Sequence, residues 1–212
     1  MFEYHYGTSG NDYLSNGSGS EKDVFFAYDG NDTIVDTDNG EDFVYAGGGD
    51  DWIFTGPGDD HAFGYSGDDT ILGDRGSDNL SGNEGDDLLI GAYFNRSNPG
   101  RGDVDTLSGG SGSDTFVLGE RVDVFYDSDT SASSLGTGDY ALITDFDPDV
   151  DNIQLHGSSS EYVIGGSGVS GISGSGIYHY NTTRGFELIG ILEDVSFSSV
   201  NLTDPGQFTY VS

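Results

Sequence analysis

The stretch that decides the fold runs from Gly64 to Ser81 and reads GYSGDDTIL followed by GDRGSDNLS. Each half has glycine at positions one and four, aspartate at position six and a large apolar residue at position eight. The same nine-residue spacing separates Asp51, Asp60, Asp69, Asp78 and Asp87. Such a regular period predicts short units that stack on one another, because one unit alone cannot bury its apolar residue.

Within each unit, positions one to six are predicted to form a tight turn and positions seven to nine a short strand. Glycine permits positive φ angles and close approach of the backbone. Side chains alternate along a strand, so position eight points to one face and positions seven and nine to the other. Two units, 18 residues, would complete one coil, with the eighth residues filling a thin core between two sheets. The sequence therefore predicts an all-β fold, a parallel β-roll of the β-helix or solenoid type.

Stacked turns would bring carboxylates and backbone carbonyls of successive coils together. Ca²⁺ accepts roughly 6–8 hard oxygen ligands, whereas Mg²⁺ demands near-octahedral geometry and keeps its water. Zinc would require histidine or cysteine, so we predict several calcium ions as the cofactor. The predicted carboxylate ligands stand at position six: Asp12, Asp23, Asp32, Asp42, Asp51, Asp60, Asp69, Asp78, Asp87, Asp105 and Asp114. The predicted carbonyl ligands come from the turns: Gly47, Gly49, Gly56, Gly58, Gly64, Gly67, Gly73, Gly76, Gly82, Gly85, Gly109 and Gly112.

The composition is strongly acidic, with 38 acidic against 6 basic residues and a formal net charge of −32. That charge argues against nucleic acid or an anionic membrane as a partner, since both require basic surface. Acidic chains are often disordered, but 13 phenylalanines and 13 tyrosines can form a core once the charge is neutralised. No apolar run approaches the ~20 residues of a membrane span, and the absence of cysteine excludes disulfides.

The motifs GTSGNDYLS, GDRGSDNLS and GGSGSDTFV resemble those of the RTX (repeats-in-toxin, haemolysin-type) calcium-binding proteins of Gram-negative bacteria. The repeats cover roughly residues 7–118, and DYALITDFDPDVDNIQL further along is similar to a segment of cyanobacterial, type I-secreted members. The resemblance implies a parallel β-roll, export through the type I secretion machinery, a C-terminal secretion signal and folding on extracellular calcium. The spacing departs from the family pattern between Asp12 and Asp42 and across Ala92–Gly102.

Two regions are predicted. Residues 1–118 would form the β-roll, and residues 119–212 a β-rich C-terminal cap that also holds the probable secretion signal. The second region lacks the nonapeptide but keeps short β-like runs separated by Gly, Ser and Asp clusters. A cap is expected because the end of a stack exposes unpaired apolar surface. An independent second domain is the alternative.

Several positions that should face solvent are instead large and apolar. They are Phe43, Tyr45, Trp52, Phe54, Phe63, Leu88 and Ile90, all at position seven or nine. Exposed apolar patches often mark contact surfaces. Burial beneath the C-terminal region is one explanation, and an adhesion, protein-binding or saccharide-binding face is the other.

Nothing in the sequence indicates catalysis. It contains no HExxH and no GxSxG, and its four histidines are scattered. Asp145, Asp147, Asp149 and Asp151 alternate as in an EF-hand, but Val150 stands where that calcium loop requires glycine. We therefore predict a secreted or cell-surface calcium-binding module that is not an enzyme. The non-catalytic C-terminal part of a larger secreted hydrolase remains an alternative.

Overall fold

The fold is a stack of short coils whose strands form two large sheets, as seen in a computed structural model. The structure describes residues 2–16, 19, 22–92, 102–120, 123–126, 139–182 and 185–212. Strand labels follow chain order. The ten-stranded sheet contains, from one edge to the other, β1 (Phe2–Tyr6), β3 (Lys22–Asp29), β5 (Phe43–Gly48), β7 (His61–Ser66), β9 (Asn79–Glu84), β11 (Val104–Ser111), β15 (Tyr140–Ile143), β19 (Gly185–Glu193), β18 (Gly174–Asn181) and β17 (Tyr162–Gly166).

The second large sheet has eight strands: β2 (Tyr13–Ser15), β4 (Thr33–Val35), β6 (Trp52–Phe54), β8 (Thr70–Asp74), β10 (Leu88–Ala92), β12 (Thr115–Val117), β16 (Asn152–His156) and β20 (Phe208–Val211). The short strands β13 (Gly119–Glu120) and β14 (Asp123–Val124) pair with each other in antiparallel orientation. Among the described residues the one helical element is a single 3-10 turn, Ser159–Glu161. None of the helices in this part of the chain is long and apolar enough to cross a membrane.

From β1 to β12, consecutive strands alternate between the two sheets, so the chain coils as predicted. Each strand from β1 to β10 pairs in parallel with the strand two places further along the chain, as when Ile53 of β6 aligns with Ile71 of β8. Ile71 in turn aligns with Leu89 of β10. The prediction of a parallel β-roll is confirmed.

The core follows the position-eight residues. Ten of them have no exposed surface: Phe25, Ile34, Val44, Ile53, Ala62, Ile71, Leu80, Leu89, Leu107 and Phe116. Leu14, in the first coil, is half-buried and packs against the same cluster. Burying one large apolar side chain stabilises a fold by about 1.5–3 kcal/mol, so the column supplies the main apolar driving force along the roll.

The turn glycines are needed for two different reasons. Gly67, at position four, has a φ of +119° and a β-carbon there would lie 2.2 Å from the carbonyl oxygen of Gly49. Gly64, at position one, is absent from the residues with positive φ, but a β-carbon there would lie 2.0 Å from Oδ2 of Asp69. Position one is therefore glycine because the aspartate of the same unit occupies the space above it.

The C-terminal region extends the same two sheets. Strand β15 pairs in parallel with β11, and β16 with β12, so the stack continues past residue 118. At the far edge of the ten-stranded sheet, β17, β18 and β19 form an antiparallel meander. One hydrophobic cluster spans Phe25 to Phe208. The division into residues 1–118 and 119–212 stays a prediction.

The large residues at positions seven and nine have different surroundings. Ile90 is buried in the main cluster, and Leu88 and Phe54 pack against it. Trp52 is 40% exposed, whereas Phe43, Tyr45 and Phe63 are half-buried on the ten-stranded sheet. Solvent therefore reaches part of the aromatic surface.

Candidate metal centre

The position-six aspartates form two rows, one along each edge of the roll. At the first edge the chain passes from the ten-stranded to the eight-stranded sheet. The first row lies there and holds Asp12, Asp32, Asp51, Asp69, Asp87 and Asp114. At the second edge the chain passes back to the ten-stranded sheet. The second row lies there and holds Asp23, Asp42, Asp60, Asp78 and Asp105. The structure thus places all of the predicted carboxylate ligands in two rows.

From Asp32 in one row and Asp42 in the other, each aspartate uses one carboxylate oxygen to join coils. The backbone N–H of Asp51 donates to Oδ1 of Asp69 at 2.8 Å, and the N–H of Asp69 donates to Oδ1 of Asp87 at 2.8 Å. The second edge repeats the arrangement, with the N–H of Asp42 donating to Oδ1 of Asp60 at 2.8 Å. A charge-assisted bond of this kind is stronger than a neutral one, so each of these aspartates fixes the turn of the preceding coil.

The other carboxylate oxygen has no such role at seven positions. Oδ2 is buried and without a hydrogen-bond partner in Asp32, Asp42, Asp51, Asp60, Asp69, Asp78 and Asp87. A buried carboxylate oxygen without a partner is costly. A row of such atoms facing the turns fits a bound cation, and the hard oxygen donors fit calcium.

Backbone carbonyls reach the same spaces. A β-carbon placed on Gly64 would lie 2.0 Å from Oδ2 of Asp69 and 2.9 Å from the carbonyl oxygen of Gly82, one coil further along. Around Gly73 the corresponding atoms are Oδ2 of Asp78 and the oxygen of Gly91. Carboxylate and position-one carbonyl oxygens therefore converge, as calcium ligands must. Position-four carbonyls such as that of Gly49 instead approach the position-four glycine of the next coil, and the ligand role of all these residues stays a prediction.

The carboxylates are electrostatically strained without a cation. Burial, followed by repulsion from neighbouring aspartates, raises the pKa of Asp69 to about 7 and that of Asp60 to about 8, against the backbone hydrogen bonds that lower them. The same causes raise the pKa of Asp51 to about 6. These aspartates would hold protons at mildly acidic pH unless a cation replaced them.

A separate set of side chains, at position five, was not predicted from the sequence. The backbone N–H of Asp68 donates to Oδ1 of Asp50 at 3.1 Å, and the N–H of Asp86 donates to Oδ1 of Asp68 at 2.9 Å. These bonds run in the opposite direction to those at position six, and their side chains are exposed. Pairs of consecutive acidic residues, such as Asp68–Asp69, were the available signal. The side chain of the first is exposed, and that of the second is buried.

The ends of the two rows differ from their middles. Oδ2 of Asp12 accepts hydrogen bonds from Thr8, and both oxygens of Asp23 have partners, in His5 and Asn16. Oδ2 of Asp105 accepts a hydrogen bond from the hydroxyl of Tyr126. Oδ2 of Asp12 and of Asp105 is therefore less open to a cation than the oxygens between Asp32 and Asp87, whereas each oxygen of Asp23 has one partner and can accept a second.

The first row continues one coil beyond the prediction. The N–H of Asp114 donates to Oδ1 of Asp151 at 3.0 Å, and Asp151 is buried. Its unit, FDPDVDNIQ, has no glycine at position one or four, which hid it. On the second row Asp105 aligns with Ala141, so that row ends there. Residues 93–101, most of the predicted interruption, lie outside the described part of the chain.

A comparison with protein families identifies the repeat. A family model described as the RTX calcium-binding nonapeptide repeat matches four segments, residues 26–62, 36–71, 63–92 and 100–120. Among solved structures, the AlgE6R3 subunit of the mannuronan C5-epimerase from Azotobacter vinelandii, determined in solution, is 21% identical, with a TM-score of 0.33. The alignment covers 94% of this chain and 83% of that one. A search of the curated proteins found no match to this chain.

The matched segments contain the aspartates of both rows from Asp32 to Asp114. The resemblance in the motifs, the coiled fold and the family match therefore agree with one another. In residues 26–92 and 100–120 the chain therefore matches the RTX calcium-binding nonapeptide repeat.

Proposed function

We propose that the chain is an extracellular calcium-binding module that leaves the cell unfolded through a type I secretion channel and folds on binding several calcium ions. The observation that carries the proposal is the buried Oδ2 oxygen without a partner that seven stacked aspartates share. Without cations, rows of carboxylates in a low-dielectric interior oppose folding.

The magnitudes favour a calcium switch. Extracellular calcium modules have dissociation constants of roughly 10⁻⁴–10⁻³ M. At millimolar calcium, a site with a dissociation constant of 10⁻⁴ M would stabilise the folded state by about 1.4 kcal/mol. Seven such sites would contribute about 10 kcal/mol, which is comparable to the whole stability of an ordinary domain. Calcium-poor cytosol would withhold that stabilisation, and the extracellular medium would supply it.

The C-terminal region fits a cap in this proposal. The meander of β17, β18 and β19 ends the ten-stranded sheet with antiparallel strands, and antiparallel pairing does not extend the coil. We assign residues 1–118 to the repeat part of the β-roll, and residues 119–212 to the region that continues the two sheets, ends in this cap and holds the secretion signal. The absence of cysteine is compatible with a chain whose folding depends on calcium outside the cell.

Circular dichroism tests the proposal. After chelation, millimolar calcium is expected to produce a large increase in β signal, whereas equal magnesium is expected to produce little. Equilibrium dialysis would then give several bound calcium ions per chain. An unchanged spectrum on adding calcium, with no bound ion, would contradict the proposed function.

We further propose that the module is non-catalytic, since its buried carboxylates already serve the turns. A screen for hydrolase activity in the calcium-loaded protein is expected to be negative. Should the natural gene prove longer, with a hydrolase sequence preceding residue 1, this chain would be the C-terminal part of that enzyme instead. Gene length therefore separates these two possibilities.

Binding of a protein or saccharide is a second candidate function, supported by an aromatic row on the outer face of the ten-stranded sheet. The rings of Tyr6, Phe26, Tyr45 and Phe63 stack in sequence, with centroids 5.7, 5.1 and 5.5 Å apart and planes within 11° of parallel. The next position in the row is Ser81, so Tyr45→Ser with Phe63→Ser makes a matched variant. Binding on a glycan array that this variant loses would support the candidate, and no binding at any calcium level would contradict it.

A further inference from the structure

The second edge contains an irregular turn, residues 36–42, that departs from the repeat. The backbone N–H of Asp36 donates to the carbonyl of Phe54, as the N–H of Thr55 does to that of Leu72, so Asp36 stands at position one. At position four, Gly40 lies against Gly58. Four steps separate Asp36 from Gly40, whereas three separate Thr55 from Gly58. This turn therefore has one additional residue and an aspartate where most units have glycine.

The change brings extra carboxylates to one place. Where position one is glycine, the aspartate of the same unit lies above it, as Asp69 lies above Gly64. Here Asp36 adds a carboxylate of its own, and the additional residue adds Asp38. One oxygen from each of Asp23, Asp36, Asp38 and Asp42 lies within 4.8 Å of the others, and all four residues are buried.

Two oxygens in this cluster lack hydrogen-bond partners. Oδ2 of Asp36 and Oδ2 of Asp42 are both inaccessible and unpaired, and both residues have no exposed surface. The other oxygen of Asp36 is used inside the turn, where it accepts the N–H of Asp38 at 2.9 Å. The nearby lysine, Lys22, instead pairs with exposed Glu41 at the surface. Four carboxylates so close in a buried space require a cation or protons.

We propose that Asp23, Asp36, Asp38 and Asp42 form a calcium site of a different kind from those of the regular repeats, one built mainly from carboxylates. The inference rests on the proposed function in that both require calcium, but it adds Asp36 and Asp38, which lie outside the nonapeptide pattern, to the position-six residues Asp23 and Asp42. A regular turn offers one position-six carboxylate of its own together with backbone carbonyls, whereas this turn offers three, and Asp23 of the preceding coil supplies the fourth. Calcium accepts carboxylates in mono- or bidentate form and in variable number, while magnesium needs near-ideal octahedral geometry. The site therefore selects calcium over magnesium.

The number of bound ions tests the site. The full chain is dialysed against saturating calcium, and the metal bound per chain is counted for the wild type and for Asp36→Asn with Asp38→Asn. The variant is expected to bind one ion fewer. The matched control, Asp50→Asn with Asp59→Asn, removes two exposed charges and is expected to bind the wild-type number.

Folding must be separated from binding in this test. Calcium-dependent circular dichroism shows whether each variant folds, and Asp38→Asn alone serves if the double variant does not, because an asparagine oxygen can still accept the N–H of Gly40, now 2.7 Å from Oδ1. Anomalous scattering from calcium-soaked wild-type crystals would locate the ion, with a peak about 2.3–2.6 Å from oxygens of Asp36 and Asp38.

The outcomes distinguish the site from the function. Peaks between the regular turns without one at Asp36, or equal ion counts in wild type and variant, would overturn the inference and leave the proposed function standing. No bound calcium anywhere would contradict the proposed function itself. One ion lost in the variant, with the regular sites retained, would establish the carboxylate site.

Discussion

The hydroxyl of Tyr126 donates a hydrogen bond to Oδ2 of Asp105, the last aspartate of the second row. In Asp60 and Asp78, which precede it in the same row, the equivalent oxygen has no partner. Burial, with the neighbouring carboxylates, raises the pKa of Tyr126 well above its usual value, so the hydroxyl keeps its proton and donates. A tyrosine thus satisfies the position that a cation would otherwise have to fill, and the open part of the row ends one coil earlier.

Replacing this tyrosine is expected to destabilise the calcium-loaded protein. Tyr126→Phe keeps the ring and leaves a buried carboxylate oxygen unsatisfied, which costs about 1–3 kcal/mol. Guanidinium unfolding at saturating calcium measures the change. Tyr180→Phe, at an exposed position, is the control and should unfold like the wild type. Equal midpoints for the two variants would show that Asp105 does not depend on the hydroxyl.

Neighbouring aspartates in one turn are expected to behave differently. Asp69 is buried with an unpaired oxygen, whereas Asp68 is exposed and bonds the turn of the next coil. Asp69→Asn retains an acceptor for the N–H of Asp51 but removes charge from the ion site. Loss of one calcium site should lower the stability by about 1.4 kcal/mol at millimolar calcium.

The measurement is a calcium titration followed by circular dichroism. Asp69→Asn should require more calcium for half-maximal folding, and Asp68→Asn should remain close to the wild type, although each removes one charge. If both variants shifted equally, net charge rather than ligand position would control folding.

The period of the chain made much of the fold predictable. Position eight is buried from Phe25 to Phe116, because a nine-residue unit returns the same residue to the same face. Asp69 and its equivalents were predictable for the same reason. The strands proved longer than three residues in places, since units continue pairing into the turn positions, as in β7.

The features that broke the period were not predictable. Asp151 continues the first row in a unit without the marker glycines, so its position was apparent only from pairing with Asp114. Tyr126 lies 21 residues from Asp105 and belongs to no repeat. The position of Asp36 depends on where the chain accommodates one extra residue, and only the register of β4 and β5 with their neighbours determines that.

The space above a position-one glycine provides a steric test. Gly64→Ala would place a β-carbon 2.0 Å from Oδ2 of Asp69, so the carboxylate or the backbone must move. The buried aspartate is held by the N–H of Asp51 and cannot turn away without losing that bond. We expect weaker calcium binding and a lower unfolding temperature. Gly10→Ala, where nothing lies within 4 Å, is the control and should change neither property; similar losses in both variants would contradict the steric explanation.

The pKa shifts predict how pH acts on the calcium-free protein. Burial and neighbouring charges raise the pKa of Asp87 to about 6, of Asp69 to about 7 and of Asp60 to about 8. An unfolded aspartate has a pKa of about 3.9, so between these values the folded chain holds more protons than the unfolded chain. By linkage, stability falls as pH rises from about 4 to about 8. Protons should therefore replace calcium in part at low pH.

Circular dichroism in the presence of chelator tests this dependence. The chelated chain is expected to show more β signal at pH 5.5 than at pH 7.5, with the transition between them reversible. Calcium competes with protons for the same carboxylate oxygens. Acid therefore has two opposing effects: it stabilises the calcium-free roll, and it lowers the calcium affinity of each site. Dialysis at fixed calcium should accordingly show fewer bound ions at pH 5.5. A chelated chain with less β signal at pH 5.5 than at pH 7.5 would contradict the linkage, because the raised pKa values permit only the opposite sign.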